Sequence, residues 1–150
     1  MSLPGTKNAA IDSYAGRRRE TPSGGEEIYI KSHAALTAKT VYKISYGANG
    51  PVTAALADAA ILEEVVVPEV AVASGEFFWG KTRGPIVGLV VPNDTYLVLE
   101  GLKIHDGAPV GTNAAYAYTG AEFAYVTAVV TVATAVANVY LLGREILATT

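Results

Sequence analysis

Cysteine is absent from the 150 residues of this chain, and its absence excludes a disulfide framework, a thiolate zinc site and a cysteine nucleophile. Charged residues are also sparse: they make up 17% of the chain, and the formal net charge is −3. A nucleic-acid-binding protein needs a surplus of basic residues, which this composition does not have. We therefore expect no thiol-based site and no nucleic-acid partner.

The chain also lacks the hydrophobic segments that direct proteins into membranes. Residues 1–21 contain no apolar run of the kind found in a secretory signal. Residues 123–143 are uncharged and long enough to span a bilayer. Threonines and an asparagine recur in this run, however, and its side chains alternate with the period of a β-strand. We therefore expect two strands here, 123–132 and 138–146, joined near residues 134–135, and no membrane segment.

The residues that are abundant are those typical of β-sheets. Apolar residues make up 51% of the chain, many of them alanine and valine, and 15 glycines and 7 prolines are spread along it. β-Branched residues favour strands, and the glycines and prolines indicate many turns. Turn signals recur at a spacing of roughly 8–12 residues, without a long helical period. We predict an all-β fold: a small β-sandwich or β-barrel with an extended N-terminal arm.

The individual strands are predicted to be short and separated by turns. A hairpin is expected around the turn at residues 47–51. A tight turn is expected at 106–107, followed by a loop or weak strand over 108–120, and the glycine–proline and proline–asparagine–aspartate sequences at 84–85 and 92–94 predict further turns. Residues 54–62 fit either a short helix or a loop. The strands predicted before the C-terminal pair are 28–30, 41–46, 52–57, 64–73, 76–81, 86–91, 96–99 and 101–105.

The N-terminal 25 residues differ in composition from the rest of the chain. They are rich in serine, glycine, proline, asparagine and arginine. A segment with so little apolar surface cannot fold alone. Residues 1–25 are therefore predicted to be an extended arm with a hinge at 21–25, and residues 26–150 to be the β-rich domain.

The arm contains a triplet of arginines, Arg17, Arg18 and Arg19. Such a cluster is typical of an electrostatic anchor, either to an acidic protein surface or to nucleic acid. A solvated basic patch on a flexible arm is the alternative interpretation. The large apolar residues of the arm are Leu3, Ile11 and Tyr14, which could supply apolar contacts.

Three aromatic residues follow one another in the predicted strand 76–81. On a strand, Phe77 and Trp79 share one face, and Phe78 lies on the other. One face can join the core. The other must then pack in a second core layer or form an interface, since outward-facing aromatic residues mark binding surfaces. All three are therefore candidates for an oligomer interface.

No group of residues predicts catalysis or metal binding. His105 and Asp106 are adjacent, and adjacent residues of a strand point to opposite faces, so a turn explains Asp106 better than a catalytic pair does. Glu63, Glu64 and Glu69 have no spacing that makes their carboxylates converge on a cation, and a charged sheet edge is the preferred interpretation. We expect a protein without enzymatic activity, metal or cofactor.

The order of these segments resembles that of the cement, or decoration, proteins of tailed-bacteriophage capsids. Residues 29–60 carry a strand, a loop containing Leu36-Thr37-Ala38, a strand ending at Tyr46 and an alanine-rich return. Residues 101–111, GLKIHDGAPVG, resemble a hairpin common in such proteins, and residues 124–145, AYVTAVVTVATAVANVYLLGRE, resemble two closing strands. Together the three segments cover most of residues 26–147.

The resemblance implies a virion protein on the outer capsid surface. A cement protein binds an expanded capsid at junctions between major capsid protein subunits, and it often forms a trimer. In that setting the arm would order on the shell, with Leu3, Ile11 and Tyr14 as apolar anchors and the arginine triplet bound to carboxylates. The alternative is another virion structural component, such as a head fibre base or a tail part, although the sequence shows no stalk repeats.

Overall fold

The computed structural model describes residues 7–8, 15–48, 50–56, 64–105, 107–115 and 122–143. Within these ranges the ordered elements are strands, and none is a helix, so the predicted all-β fold is confirmed. The strands are β1 (Lys7–Asn8), β2 (Arg18–Glu20), β3 (Glu26–Lys31), β4 (Tyr42–Gly47), β5 (Gly50–Ala54), β6 (Val65–Val66), β7 (Phe77–Tyr96), β8 (Glu100–His105), β9 (Ala108–Ala115), β10 (Ala124–Val126) and β11 (Val130–Leu142).

The described strands form one continuous mixed sheet. Its order is β6-β4-β5-β3-β7-β11-β10-β8-β9, while β1 pairs with β7 and β2 with β3. The pairing of β3 with β5 is parallel and the other pairings are antiparallel. The long strand β7 joins the two halves of the sheet, because its first part pairs with β3 and its remainder with β11.

Two apolar cores lie against this sheet, which makes the architecture consistent with a β-sandwich. The smaller core includes Ile28 and Ile30 of β3, Ile44 of β4 and Phe78 of β7. The larger core is built mainly from β7, β8, β10 and β11, with Phe123 fully buried at its centre. Buried and more exposed residues alternate along much of β7, because successive side chains of a strand point to opposite faces of the sheet.

The hairpin predicted at residues 47–51 is confirmed, and the hairpin that the resemblance implies at residues 101–111 is also present. Strands β4 and β5 pair from Lys43–Ala54 to Gly47–Gly50, and β8 and β9 pair out to His105–Ala108. The helix-or-loop alternative for residues 54–62 lies mostly outside the described residues.

The turns predicted at residues 84–85 and 92–94 are wrong, because both segments lie inside β7. The strand continues past the first of them through glycines that adopt conformations rare for other residues: φ is 113° at Gly84 and 78° at Gly88. Beside Gly88 the register shifts by one residue against β11, which is a β-bulge. The chain reverses instead after Tyr96, at a turn containing Leu99.

The predicted break near residues 134–135 is also wrong. Strand β11 runs through it, with register shifts on both sides of Thr134. The alternation of small side chains across residues 123–146 is compatible with either arrangement. Pairing with β7 decided between them, since β7 provides hydrogen-bonding partners on both sides of the irregularity.

Residues 7–8 and 18–20 of the predicted arm belong to the sheet. Strand β2 pairs with β3 from Arg18–Ile28 to Glu20–Glu26, and the boundary predicted at residue 25 falls in the turn that joins the two strands. The Thr21 side-chain oxygen accepts from the Gly25 amide at 3.0 Å, and the Thr21 amide donates to the Gly25 carbonyl at 3.0 Å. The hairpin of β2 and β3 was not predicted from the sequence, because β2 has only three residues and shows no alternation of apolar side chains.

Candidate functional site: an arginine–aromatic face

The arginine triplet and the aromatic triplet meet on one sheet, on β2, β3 and β7. Register places Arg19 opposite Glu27, Tyr29 opposite Trp79 and Lys31 opposite Phe77. Because side chains alternate along a strand, these six project on the same side. We call the set of Arg19, Glu27, Tyr29, Lys31, Phe77 and Trp79 the arginine–aromatic face.

The first part of this face is a charged pair beside an indole ring. The Nε of Arg19 donates to the Glu27 carboxylate at 3.1 Å, and Glu27 has no exposed surface. The guanidinium carbon of Arg19 lies 3.9 Å from the ring centroid of Trp79. This geometry is a cation–π contact, worth about 2 kcal/mol when shielded from water. Arg19 thus compensates a buried carboxylate and packs on an aromatic ring at once.

The second part of the face is a row of rings. Tyr29 stacks on Phe77 with centroids 5.5 Å apart, and it lies 5.1 Å from Trp79 in a tilted arrangement. The Lys31 ammonium is 5.9 Å from the Phe77 centroid. Tyr29 is almost fully buried, and this burial raises its pKa. Phe77 and Trp79 of this row are half-buried, and Lys31 at its end is exposed.

Arg18 projects to the opposite side of β2, where it forms a separate ion cluster. Its two terminal nitrogens bind Glu64 in a bidentate pair at 2.7 and 2.8 Å. It also donates to Glu26 at 2.8 Å and to the Tyr46 hydroxyl at 3.1 Å. The hydrogen bonds that Arg18 donates to Glu64, helped by the one to Glu26, hold the pKa of Arg18 above its ordinary value. Strand β2 is therefore fastened to β3, β4 and the segment before β6.

The predicted site residues have different places in this structure. Arg18 and Arg19 bind carboxylates of their own chain, whereas Arg17 is exposed. Phe78 is 1% exposed in the smaller core, so it is not available to an interface. Phe77 and Trp79 are half-buried in the arginine–aromatic face, and their role in an interface stays a prediction. Leu3, Ile11 and Tyr14 lie outside the described residues.

Glu27, Tyr29 and Lys31 of the arginine–aromatic face, and Glu26 of the Arg18 cluster, were not predicted from the sequence. A signal for the two glutamates was present. The pair Arg18-Arg19 is followed by a turn-forming segment and then by Glu26-Glu27. This order is expected for a hairpin whose two strands carry opposite charges.

The carboxylates considered as catalytic or metal-binding candidates are engaged elsewhere. Glu64 binds Arg18, and Glu69 binds Lys39 and lies 3.4 Å from Lys81. Among the described residues, no three histidine or acidic side chains come together as a metal site. Glu63 and Asp106 are outside the described residues.

In the described part of the chain, no helix is long and apolar enough to cross a membrane.

No known protein-family model matches the chain, and no curated protein matches it. One solved structure is similar: the N base of the head fibre gp8.5 of bacteriophage phi29. The TM-score is 0.51 and the sequence identity is 14%, and the match covers 80% of this chain and 96% of that one. The two chains share a fold. At this identity the similarity extends to the arrangement of strands and not to individual site residues.

Proposed function

We propose that this chain is a structural component of a phage virion, attached to the outside of the head as the base of a head fibre or similar appendage. The observation that carries the proposal is the fold shared with the N base of the phi29 head fibre, because the match covers almost all of that chain. Fold alone does not determine function, and the residues on the surface of this chain give further support.

The described surface suits a static attachment better than a reaction. Arg19 pairs with Glu27, and Arg18 pairs with Glu26 and Glu64, which links β2 to β3 and to the segment before β6. Side chains that these ion pairs already hold in place lose little conformational entropy on binding, which suits a permanent position on a shell. The partner in this proposal is the major capsid protein.

A cement role is the second candidate, supported by the resemblance of residues 29–60, 101–111 and 124–145 to decoration proteins. The two hairpins on which part of that resemblance rests are present as β4–β5 and β8–β9. A cement protein stabilises a shell by binding only the assembled state. A fibre base instead carries a further segment outward and need not change shell stability.

The test uses heads and tails of the phage that encodes this chain, separated from each other and stripped of the protein. Purified protein should cosediment with heads and not with tails, and electron microscopy should show added density on the outer head surface. Absence of binding to heads would overturn the proposal. Heating decorated and bare heads then separates the two roles, since only a cement protein raises the rupture temperature.

A further inference from the structure

Two further cations border the arginine–aromatic face. Arg17 lies beside Tyr29, because the Tyr29 amide donates to the Arg17 carbonyl at 2.8 Å. Lys81 lies beside Glu27, its partner in register on β3. Arg17 is exposed, as is Lys31 within the face. Each of the strands β2, β3 and β7 therefore contributes a cation on or beside the row of aromatic rings.

The carboxylates of this region do not cancel that charge at the surface. Glu27 is fully buried and accepts from Arg19, and Glu69 pairs at the border with Lys81 and with a second lysine. The exposed Glu20 alternates with Arg19 and so projects to the opposite side of β2. The whole chain has a formal net charge of −3. A positive surface on an acidic protein directs an acidic partner to that one place.

The aromatic rings of the face favour a carboxylate over a nucleobase. One face of Phe77 is stacked on Tyr29, and the guanidinium of Arg19 covers one face of Trp79. A nucleobase binds by stacking on an open ring face, and these contacts compete with it. The edges of aromatic rings carry partial positive charge, so the half-buried rings of Phe77 and Trp79 add to the attraction for an anion.

We propose that the arginine–aromatic face, together with Arg17 and Lys81 at its border, binds an acidic polypeptide segment of a partner protein. Arginine and lysine recognise carboxylates, and arginine does so with two parallel hydrogen bonds. Paired strands hold the backbone of these cations in place, so little of its conformational entropy is lost on binding. The contact deepens the proposed function and rests on it for the identity of the partner, the shell protein of the head.

The proposed surface differs from the anchor that the sequence suggested. Arg18 and Arg19 bind carboxylates of their own chain. The exposed cations are instead Arg17 and Lys31, and they lie on a folded sheet beside Phe77. The acidic segment thus meets a preformed surface.

The chain has a single tryptophan, Trp79, so its fluorescence reports directly on this surface. Titration of the unaltered protein with a poly-glutamate peptide should change the emission of Trp79 and reach saturation. Added salt should weaken the binding, because it screens the charges. A single-stranded DNA oligonucleotide with the same number of charges is the comparison and should bind more weakly. Tighter binding of the oligonucleotide would overturn the proposal in favour of a nucleic-acid partner.

Charge reversal locates the binding surface. Lys31→Glu and Arg17→Glu should each weaken the binding of poly-glutamate by about tenfold or more, since repulsion replaces attraction. Lys31→Arg keeps the charge and should bind normally. Lys103→Glu is the matched control, because it makes the same change of charge on β8, and it should bind as the unaltered protein does. Equal losses in Lys31→Glu and Lys103→Glu would mean that only net charge matters, and the assignment of the surface would be wrong.

Cosedimentation with phage heads separates this inference from the proposed function. Heads should bind the unaltered protein about tenfold or more tightly than Lys31→Glu. If heads bind both proteins equally, attachment uses another surface, so the inference is wrong while the proposed function stands. If heads bind neither protein but poly-glutamate binding depends on Lys31, the proposed function is wrong and the surface serves a different acidic partner.

Discussion

The guanidinium of Arg19 lies against the face of the Trp79 indole ring, 3.9 Å from its centroid. The two residues belong to the two most conspicuous local patterns of the sequence, the arginine triplet and the aromatic triplet. The sheet brings them together through β3, which pairs with both strands. The arginine triplet suggested an anchor to another molecule, but Arg19 instead helps to hold β2 against β3 and β7.

Removal of the Arg19 side chain should destabilise the protein strongly. Arg19→Ala leaves the fully buried Glu27 carboxylate without this cation, and breaking a buried ion pair typically costs about 3 kcal/mol. Chemical denaturation measures the change in unfolding free energy. Glu20→Ala, at the neighbouring exposed position, is the control and should change it by no more than about 0.5 kcal/mol. If the two variants are equally stable, the pair contributes little to the fold.

The three consecutive aromatic residues should differ in their effect on stability. Phe78→Ala creates a cavity in the smaller core and should cost about 3–5 kcal/mol. Phe77→Ala removes mainly the stacking on Tyr29, so its cost should be nearer to about 1 kcal/mol. Thermal and urea denaturation of both variants give the comparison, and Val87→Ala, at a residue 71% exposed, should be neutral. A larger loss at Phe77 than at Phe78 would contradict the assignment of faces.

The close approach of β6 to β7 should make Gly80 intolerant of a side chain. A Cβ at Gly80 would lie 2.2 Å from a methyl group of Val66, so Gly80→Ala should cost about 1–3 kcal/mol. The double variant Gly80→Ala/Val66→Ala removes that methyl group and should recover part of the loss. Gly47→Ala is the control, since its Cβ would meet no atom closer than 3.9 Å. Additive losses in the double variant would show that the clash is not the cause.

Alkaline pH should weaken the fold through Tyr96. Burial, together with Asp94 and Glu100, raises the pKa of Tyr96 to about 12. In the unfolded chain this phenol ionises near pH 10, so between about pH 10 and 12 the unfolded state binds fewer protons than the folded state. Stability from this group is therefore complete below pH 10 and declines as the pH rises towards 12. Urea denaturation across this range should show a shallower decline in Tyr96→Phe, and an identical decline would contradict the shift.

Local patterns in the sequence determined the class of fold. Alternating β-branched residues and closely spaced turn signals predict short strands, and they place the hairpin β4–β5 correctly, because a hairpin depends on residues near one another in the chain. The hairpin β8–β9 was implied only by the resemblance of residues 101–111. The absence of helical periodicity excluded the other classes of domain. The sequence patterns do not indicate the fold shared with a head fibre base, although a fibre base was one alternative to the cement protein that the sequence resembles.

Tertiary structure decided which residues face the core and where the longest strands end. Gly84-Pro85 and Pro92-Asn93-Asp94 are turn signals by local chemistry, yet β7 continues through them because β11 and two glycine conformations accommodate it. Alternation separates Phe78 from Phe77 and Trp79, but only the packing of β3, β4 and β6 shows which side is buried. Likewise, Arg18 obtains its bidentate partner Glu64 from a segment 46 residues away in the sequence. Such long-range contacts are determined by the global free energy of the folded chain and not by the propensity of any single segment.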